Sequence, residues 1–188
     1  EYFLEIIDGM EMDLNFHRYE NFKQLQLYCY RAASVVGLLS ARIFGFTNKD
    51  TLKYAHDLGI ALQLTNIIRD LGEDAHRGRI YVPLDLLDQF SLTEDDILSS
   101  KRNGKLTLLV KHLGDQANDF YRSAMRRLPK EDVRKQLPGL IMGNIYYALL
   151  RKVVSNEPDN ILNISSGLSP IKKILVATTT FFGMSCIK

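Results

Sequence analysis

Helical spacing of apolar residues dominates this sequence. Apolar side chains recur three and four residues apart over nearly the whole chain, and no alternating apolar and polar run is long enough to predict a sheet. We therefore predict an all-α fold. With 188 residues, of which 46% are apolar and 24% charged, residues 1–188 are predicted to form a single helical domain.

Breaks in the helical periodicity predict where the helices begin and end. The predicted helices are Glu1–Leu14, Phe22–Phe44, Asp50–Ala75, a short helix capped by Thr93, Leu106–Leu128, Val133–Val154 and a last helix opened by Pro170. Two stretches, His76–Leu92 and Asn156–Ser169, are predicted to be irregular. The four-residue spacing of Ala33, Gly37 and Ala41 predicts a face on which another helix packs closely.

Charge and cysteine content exclude several classes of protein. The 24 Lys+Arg residues nearly balance the 22 Asp+Glu residues, so we expect neither disorder nor a nucleic-acid partner. Cys29 and Cys186 lack disulfide or zinc spacing, which predicts free thiols in a reducing, cytoplasmic compartment. No signal peptide is recognisable at Glu1. The longest uncharged apolar stretch, Ile174–Ile187, is shorter than the roughly 20 residues of a membrane-spanning helix.

A polar stripe on the third predicted helix is the strongest functional signal. Its residues follow one another at spacings of three, four and four: Gln63, Asn66, Asp70 and Asp74. At about 100° per residue they share a sector of about 80°. Carboxylates one turn apart repel each other, and a hard divalent cation such as Mg²⁺, with Mn²⁺ as the alternative, reverses that repulsion. The stripe predicts either such a metal site or a structural polar network.

Cationic and phenolic groups follow the same turns: Arg69, Arg77, Arg79 and Tyr81. Acids that hold a metal, beside arginines that hold phosphate oxygens, favour a diphosphate substrate. Surface salt bridges to Glu73, Asp85 or Asp88 are the alternative for these arginines.

Several segments resemble the squalene/phytoene synthase family. Leu58–Asp74 followed by Arg79–Pro83 closely resembles its second aspartate-rich motif, and Tyr28–Gly37 resembles a further diagnostic segment. Ile7–Leu14 and Met142–Leu150 also resemble family sequences. The combination is most similar to bacterial members of the hopanoid pathway that make presqualene diphosphate.

The resemblance implies an isoprenoid synthase fold, in which two aspartate-rich helices face each other across a cavity that binds prenyl diphosphates through Mg²⁺. It implies that the metal ligands are Asn66, Asp70 and Asp74. It assigns catalytic roles, including contact with diphosphate, to Arg69, Arg79, Tyr81 and Tyr28. It assigns substrate binding to Arg31, Arg77, Tyr146 and Gln63. For Tyr28 and Tyr146, core packing is the alternative.

The reaction implied by the resemblance is the head-to-head condensation of two prenyl diphosphates. Farnesyl diphosphate would give presqualene diphosphate or a related C30 product. The alternatives are a phytoene synthase acting on geranylgeranyl diphosphate and a non-catalytic binding or assembly protein of the same descent. The sequence has no Gly-rich dinucleotide motif, so we expect no requirement for NADPH. It favours no oligomeric state.

Two departures from the family pattern lead to further expectations. Arg31 stands where many members have tyrosine, and we expect it to contact a phosphate or to pair with an acid. The first aspartate-rich motif is not found before Asp70, so we expect an N-terminal part to be missing and the isolated fragment to be weak or inactive. The last helix, with Lys172 and Lys173 beside apolar residues, predicts peripheral contact with the inner membrane surface or packing on the bundle.

Overall fold

The structure, a computed structural model, describes residues 1–99, 104–155, 167–183 and 187, and the regular elements among them are all helical. Those residues include no strand, which confirms the all-α prediction. The α-helices are α1 (Tyr2–Asn15), α2 (Phe22–Cys29), α3 (Val35–Phe44), α4 (Asp50–Arg69), α5 (Leu71–His76), α6 (Leu84–Gln89), α7 (Glu94–Leu98), α8 (Gly104–Arg127), α9 (Leu137–Ser155) and α10 (Pro170–Phe181). A π-helical turn, Tyr30–Ser34, joins α2 to α3, and a 3₁₀ turn, Lys130–Asp132, precedes α9.

Helix α4 is the centre of the bundle. It packs along α8 and also contacts the π-helical turn, α3 and α9. Twelve of its 20 residues are buried, and they are distributed around the helix. A helix that is apolar on most sides is typical of a core helix surrounded by others, so any polar group on α4 faces either a partner or a cavity.

The π-helical turn and α3 both approach α4 closely, at Gly59 and Gly37 respectively. A Cβ atom placed on Gly59 would lie 2.4 Å from the Cα of Ser34, and one placed on Gly37 would lie 2.8 Å from the carbonyl oxygen of Ala55. Ser34 also donates a hydrogen bond of 2.7 Å from its hydroxyl to the carbonyl oxygen of His56. The prediction of close packing along the small-residue face of the second helix is thereby confirmed.

Two long predicted helices are interrupted in the structure. The range Phe22–Phe44 is helical but contains the π-helical turn. The range predicted from Asp50 to Ala75 breaks at Asp70, whose φ of −96° and ψ of 7° are outside the helical region. The i to i+4 hydrogen bonds nevertheless continue across the break, from the Asp70 amide to Asn66 and from the Asp74 amide to Asp70, both at 2.8 Å.

Other predicted boundaries need correction. The stretch His76–Leu92 is not wholly irregular, because α6 begins directly after Pro83 and buries Leu86 and Leu87. Helix α9 begins at Leu137 rather than Val133, after a turn that follows the 3₁₀ segment. Residues 156–166 of the predicted loop, and Cys186, lie outside the described residues. Cys29 is a buried free thiol.

Predicted helix starts are confirmed where capping side chains were recognised. The Thr93 hydroxyl accepts from the Asp96 amide, and the Asp96 carboxylate accepts in return from the Thr93 amide, which forms a capping box at α7. Pro170 is the first residue of α10, whose cap is Ser169.

A buried carboxylate ties the α3–α4 loop to the 3₁₀ turn before α9. Asp132 is fully enclosed and accepts hydrogen bonds from the amides of Thr47 (2.7 Å) and Asn48 (2.9 Å) and from the Thr51 hydroxyl (2.7 Å). Burial alone would raise the pKa of Asp132, but these donors hold it well below its ordinary value. The carboxylate is therefore charged at neutral pH.

Candidate active site

One face of α4 lines a cavity of about 380 Å³ that also touches the π-helical turn, α3 and α9. The lining residues of α4 recur at helical spacing: Tyr54, Ala55, Leu58, Gly59, Leu62, Gln63 and Asn66. At 1.5 Å per residue, the twelve steps along α4 from Tyr54 to Asn66 rise about 18 Å. Gln63 and Asn66 make one end of this row polar, and the other α4 residues in it are mainly apolar. Ser40 and Gln136 add polar side chains from outside α4.

The polar end begins with two amides from the predicted stripe. Gln63 donates a long hydrogen bond of 3.4 Å to the Tyr28 hydroxyl, and Asn66 donates one of 3.5 Å to the Gln63 side-chain oxygen. The side-chain oxygen of Asn66 is buried and has no hydrogen-bond partner. Leaving a buried acceptor unsatisfied costs about 1–3 kcal/mol, so this oxygen is available to a cation or to a bound water.

Asp70 and Asp74 follow on the next turns and differ in their partners. Arg69 holds Asp70 through two hydrogen bonds, Nε to Oδ1 at 2.7 Å and Nη2 to Oδ2 at 2.5 Å. This pairing raises the pKa of Arg69, with a smaller contribution from Tyr146. Burial, together with the negative charge of Asp70, raises the pKa of Asp74 to about 6. Asp70 is thus paired with a cation, whereas the surroundings of Asp74 disfavour its charged form.

Three tyrosines pack together beside Gln63. The ring centroids of Tyr28 and Tyr81 are 5.3 Å apart, and Tyr19 lies 5.6 Å from Tyr28 and 5.8 Å from Tyr81. The Tyr81 hydroxyl donates a hydrogen bond of 2.7 Å to Asp13 of α1. Burial and the Asp13 carboxylate raise the pKa of Tyr81 to about 12, so its phenol stays protonated at neutral pH.

The remaining predicted arginines occupy different surroundings. Arg79 lies beside Tyr81, which raises its pKa, with Asp13 and Asp74 adding to the effect. Arg77 is exposed and pairs with Glu73 at 2.6 Å, as the salt-bridge alternative predicts.

Arg31 pairs with two acids of α1, Glu5 at 3.0 Å and Asp8 at 3.1 Å. Arg31 was expected either to contact a phosphate or to pair with an acid, and the structure contains the pairing with acids.

The structure thus gathers most of the predicted residues in one region. Asn66, Gln63 and Tyr146 line the cavity, Arg69 lies beside both Asp70 and Tyr146, and Tyr28 contacts Gln63. Sequence reasoning did not identify Asp13 or Tyr19 as parts of this region. The only available signal was the family resemblance of the segment that contains Asp13, which names no partner for it.

Comparison with known sequences identifies the family. The family model of squalene/phytoene synthases matches residues 1–172. The chain belongs to the squalene/phytoene synthase family. Similar curated proteins include the phytoene synthase of Arthrospira platensis, which is 40% identical over 84% of this chain and 55% of its own length. The chloroplastic phytoene synthase of an Oncidium hybrid cultivar is 35% identical over 99% of this chain and 46% of its own length.

Solved structures of this family share the fold. A dehydrosqualene synthase in complex with ligand superposes with a TM-score of 0.81 at 25% identity and covers 97% of this chain and 65% of that chain. The squalene synthase HpnC from Alicyclobacillus acidocaldarius gives a TM-score of 0.71 at 28% identity, over 83% of this chain and 60% of that chain. The prediction of the family and its fold is confirmed. The chain spans about half the length of the curated relatives it matches.

Proposed function

We propose that the protein catalyses the Mg²⁺-dependent head-to-head condensation of two prenyl diphosphates. The observation that carries the proposal is the cavity along α4, whose mainly apolar lining suits a prenyl chain and whose polar end holds Asn66 beside Arg69 and Asp70. Farnesyl diphosphate, giving presqualene diphosphate or a related C30 product, is the first candidate substrate. Geranylgeranyl diphosphate is the second, because phytoene synthases are among the similar proteins.

The residues at the polar end fit a divalent cation. Asp70 and Asp74 offer carboxylate oxygens, and Asn66 offers a buried oxygen without a partner. Among the described residues no group of three or more His, Cys, Asp or Glu side chains converges to hold a metal, so substrate phosphate oxygens would complete the coordination, as is common for Mg²⁺. The cation, Mg²⁺ or alternatively Mn²⁺, supplies charge neutralisation for the departing diphosphate.

The other residues of the region bind, orient and shield the substrates in this proposal. Arg69 and Arg79 contact diphosphate oxygens, and Tyr146 orients the diphosphate at the cavity mouth. Tyr28 and Tyr81 remain neutral and border the polar end through Gln63, where their rings would stabilise a developing allylic cation. The apolar walls exclude water, which protects a reactive cation from being quenched.

Arg31 and Arg77 have weaker support as substrate-binding residues. Arg31 is already paired with Glu5 and Asp8, and Arg77 with Glu73 on the surface. We propose that Arg31 instead holds α1 in place through these ion pairs. Gln63 remains a proposed substrate-binding residue, and its hydrogen bond joins Tyr28 to the polar end.

The test is an incubation of the full-length gene product with Mg²⁺ and either farnesyl or geranylgeranyl diphosphate, with and without NADPH, followed by mass analysis of the lipids. A condensation product formed without NADPH is the expected result. The variants Asp70→Ala and Asp74→Ala should lose turnover and keep their circular dichroism. Asp119→Ala, which removes an exposed carboxylate on α8, is the control. Absence of product from either substrate would favour the non-catalytic binding protein.

We further propose a cytoplasmic protein with peripheral contact at the inner membrane surface. Within the described residues, no helix is both long and apolar enough to cross a membrane. Helix α10 exposes Ile171, Ile174 and Leu175, with Lys172 and Lys173 beside them. Cosedimentation with anionic vesicles tests this contact. Equal recovery of the wild type and of Ile174→Glu with the vesicles would contradict it.

A further inference from the structure

Asp13 of α1 accepts hydrogen bonds from two phenols at the polar end of the site. The Tyr81 hydroxyl donates to Asp13 Oδ1 at 2.7 Å. Burial, the neighbouring Tyr81 and the Asp13 carboxylate raise the pKa of Tyr28, the carboxylate partly through a hydrogen bond. The Tyr19 hydroxyl, in the same group of rings, is buried and has no hydrogen-bond partner among the described residues. Two hydroxyls that stay protonated at neutral pH therefore converge on one carboxylate.

The direction of these hydrogen bonds is fixed by the chemistry of Asp13. A carboxylate only accepts hydrogen bonds, whereas a phenol has a single hydrogen to donate. Tyr81 commits its hydrogen to Asp13, so the hydrogen of Tyr28 goes either to Asp13 or to the Tyr81 oxygen, its two partners on that side. In both cases it points away from Gln63, and the Tyr28 oxygen is left as an acceptor.

A polar relay of three side chains, Tyr28, Gln63 and Asn66, carries this direction to the cavity wall. Because the Tyr28 oxygen accepts, Gln63 must present its NH₂ group to it, as it does at 3.4 Å. The Gln63 oxygen then accepts from the Asn66 NH₂ group at 3.5 Å. The Asn66 oxygen is left buried and unpartnered within the described part of the chain. A reversed relay would place the NH₂ group of Asn66 there, and its hydrogens would repel a cation.

The two amides cannot fix this direction by themselves. Both of their hydrogen bonds are longer than the usual length of about 2.7–3.2 Å. An amide side chain that turns by half a revolution exchanges its donor and acceptor with almost no change in shape. The carboxylate supplies the asymmetry, because hydrogen bonds to a charged acceptor are about twice as strong as neutral ones. Asp13 therefore determines, through the relay, which atom Asn66 offers.

We propose that Asp13 is a positioning residue that fixes the direction of the polar relay and thereby keeps the Asn66 oxygen free to bind the cation. This inference rests on the proposed Mg²⁺-dependent function and extends it to a residue of α1 that sequence reasoning did not identify. Outer partners that orient metal ligands have large effects in general, since their substitution typically costs about 10–100-fold in metal affinity.

The experiment measures Mn²⁺ binding to the full-length protein in the presence of inorganic diphosphate, from the electron paramagnetic resonance signal of free Mn²⁺. Asp13→Asn keeps the shape of the side chain but adds a donor, so the relay can reverse, and the Kd for Mn²⁺ should rise about tenfold or more. The matched control is Asp8→Asn, the same substitution on α1, which weakens an ion pair to Arg31. It tests whether loosening α1 is enough, and its Kd should stay within twofold of the wild type.

Combination with Asn66→Ala distinguishes positioning from a general loss of structure. Asn66→Ala removes the oxygen itself and should also raise the Kd for Mn²⁺. Adding Asp13→Asn to Asn66→Ala should then change the Kd by less than twofold, since both substitutions remove the same interaction. Losses that multiply would overturn the inference, as would an unchanged Kd in folded Asp13→Asn.

The outcomes separate this inference from the proposed function. If the wild type does not bind Mn²⁺, or if Asn66→Ala binds it equally well, the metal site of the proposed function fails and the inference fails with it. If Asn66→Ala weakens binding and Asp13→Asn does not, the metal site stands and only the role of Asp13 is refuted.

A second variant covers the case in which Asp13→Asn does not fold, as judged by circular dichroism. Tyr28→Phe removes the hydroxyl that links Asp13 to the amides and frees Gln63 to turn. The Kd for Mn²⁺ should rise in this variant as well. An unchanged Kd in Tyr28→Phe would refute the relay.

Discussion

Substitution of Gly59 by alanine tests the close packing on which the cavity depends. The added Cβ would lie 2.4 Å from the Cα of Ser34, 2.7 Å from the Ser34 nitrogen and 3.0 Å from the carbonyl carbon of Ala33. All three atoms belong to the backbone of the π-helical turn, so no side-chain rotation relieves the contact. The turn and α4 must move apart.

The expected loss of stability follows from two opposing effects. Alanine in place of glycine inside a helix gains about 1 kcal/mol of intrinsic propensity. Overpacking a tight core costs typically about 1–3 kcal/mol and occasionally more, and a backbone contact this short belongs at or above the upper end. The net destabilisation is about 2 kcal/mol, which lowers Tm by about 4–8 °C for a protein of this size.

Thermal unfolding of the full-length protein, followed by circular dichroism, measures this effect. Gly104→Ala at the start of α8 is the matched control, because no atom lies within 4 Å of its added Cβ, and its Tm should equal or exceed that of the wild type. Gly114→Ala meets only the Val154 side chain, at 2.6 Å, and should be intermediate because a side chain can move. A Gly59→Ala variant as stable as the wild type would refute the reasoning.

Three further results are expected. Asp132→Asn should destabilise the protein at pH 7, and because the folded-state pKa lies below the ordinary value of 3.8, the difference from wild type should shrink progressively as pH falls below about 4 toward the folded-state pKa, as measured by urea unfolding at several pH values. Arg31→Gln should lower the free energy of unfolding by about 1 kcal/mol or less and leave KM for the diphosphate within twofold, whereas a tenfold rise in KM would indicate phosphate contact. Ile60→Ala, at a fully buried position of α4, should cost about 2–5 kcal/mol in denaturant unfolding, and a cost below 1 kcal/mol would contradict its place in the core.

Much of the helical architecture was predictable because it depends on local signals. The capping pair Thr93 and Asp96, Pro170 at its helix start and the apolar spacing all act within a few residues. The π-helical turn and the break at Asp70 were not predicted. Both occur where α4 meets neighbouring elements. At the π-helical turn, the close approach of Gly59 shows that the packing depends on backbone that is distant in sequence.

The candidate site was predictable only along α4. Gln63, Asn66, Asp70 and Asp74 share one helix face, so their spacing indicates proximity directly. Asp13 is 68 residues from Tyr81 in sequence, and no local pattern connects the two.

The π-helical turn sets how α2 and α3, the two halves of one continuous helical segment, are rotated relative to each other. The Val35 amide bonds to Tyr30 across five residues instead of four, so the turn holds one residue more than a regular α-helix would. That surplus residue sets the phase between Tyr28, which faces Gln63, and Gly37, which faces Ala55. Deleting one residue within Tyr30–Ser34 would restore a continuous α-helix and turn one half by about 100° relative to the other. A single codon lost there would thus re-aim the Tyr28 side chain of the site without replacing that side chain.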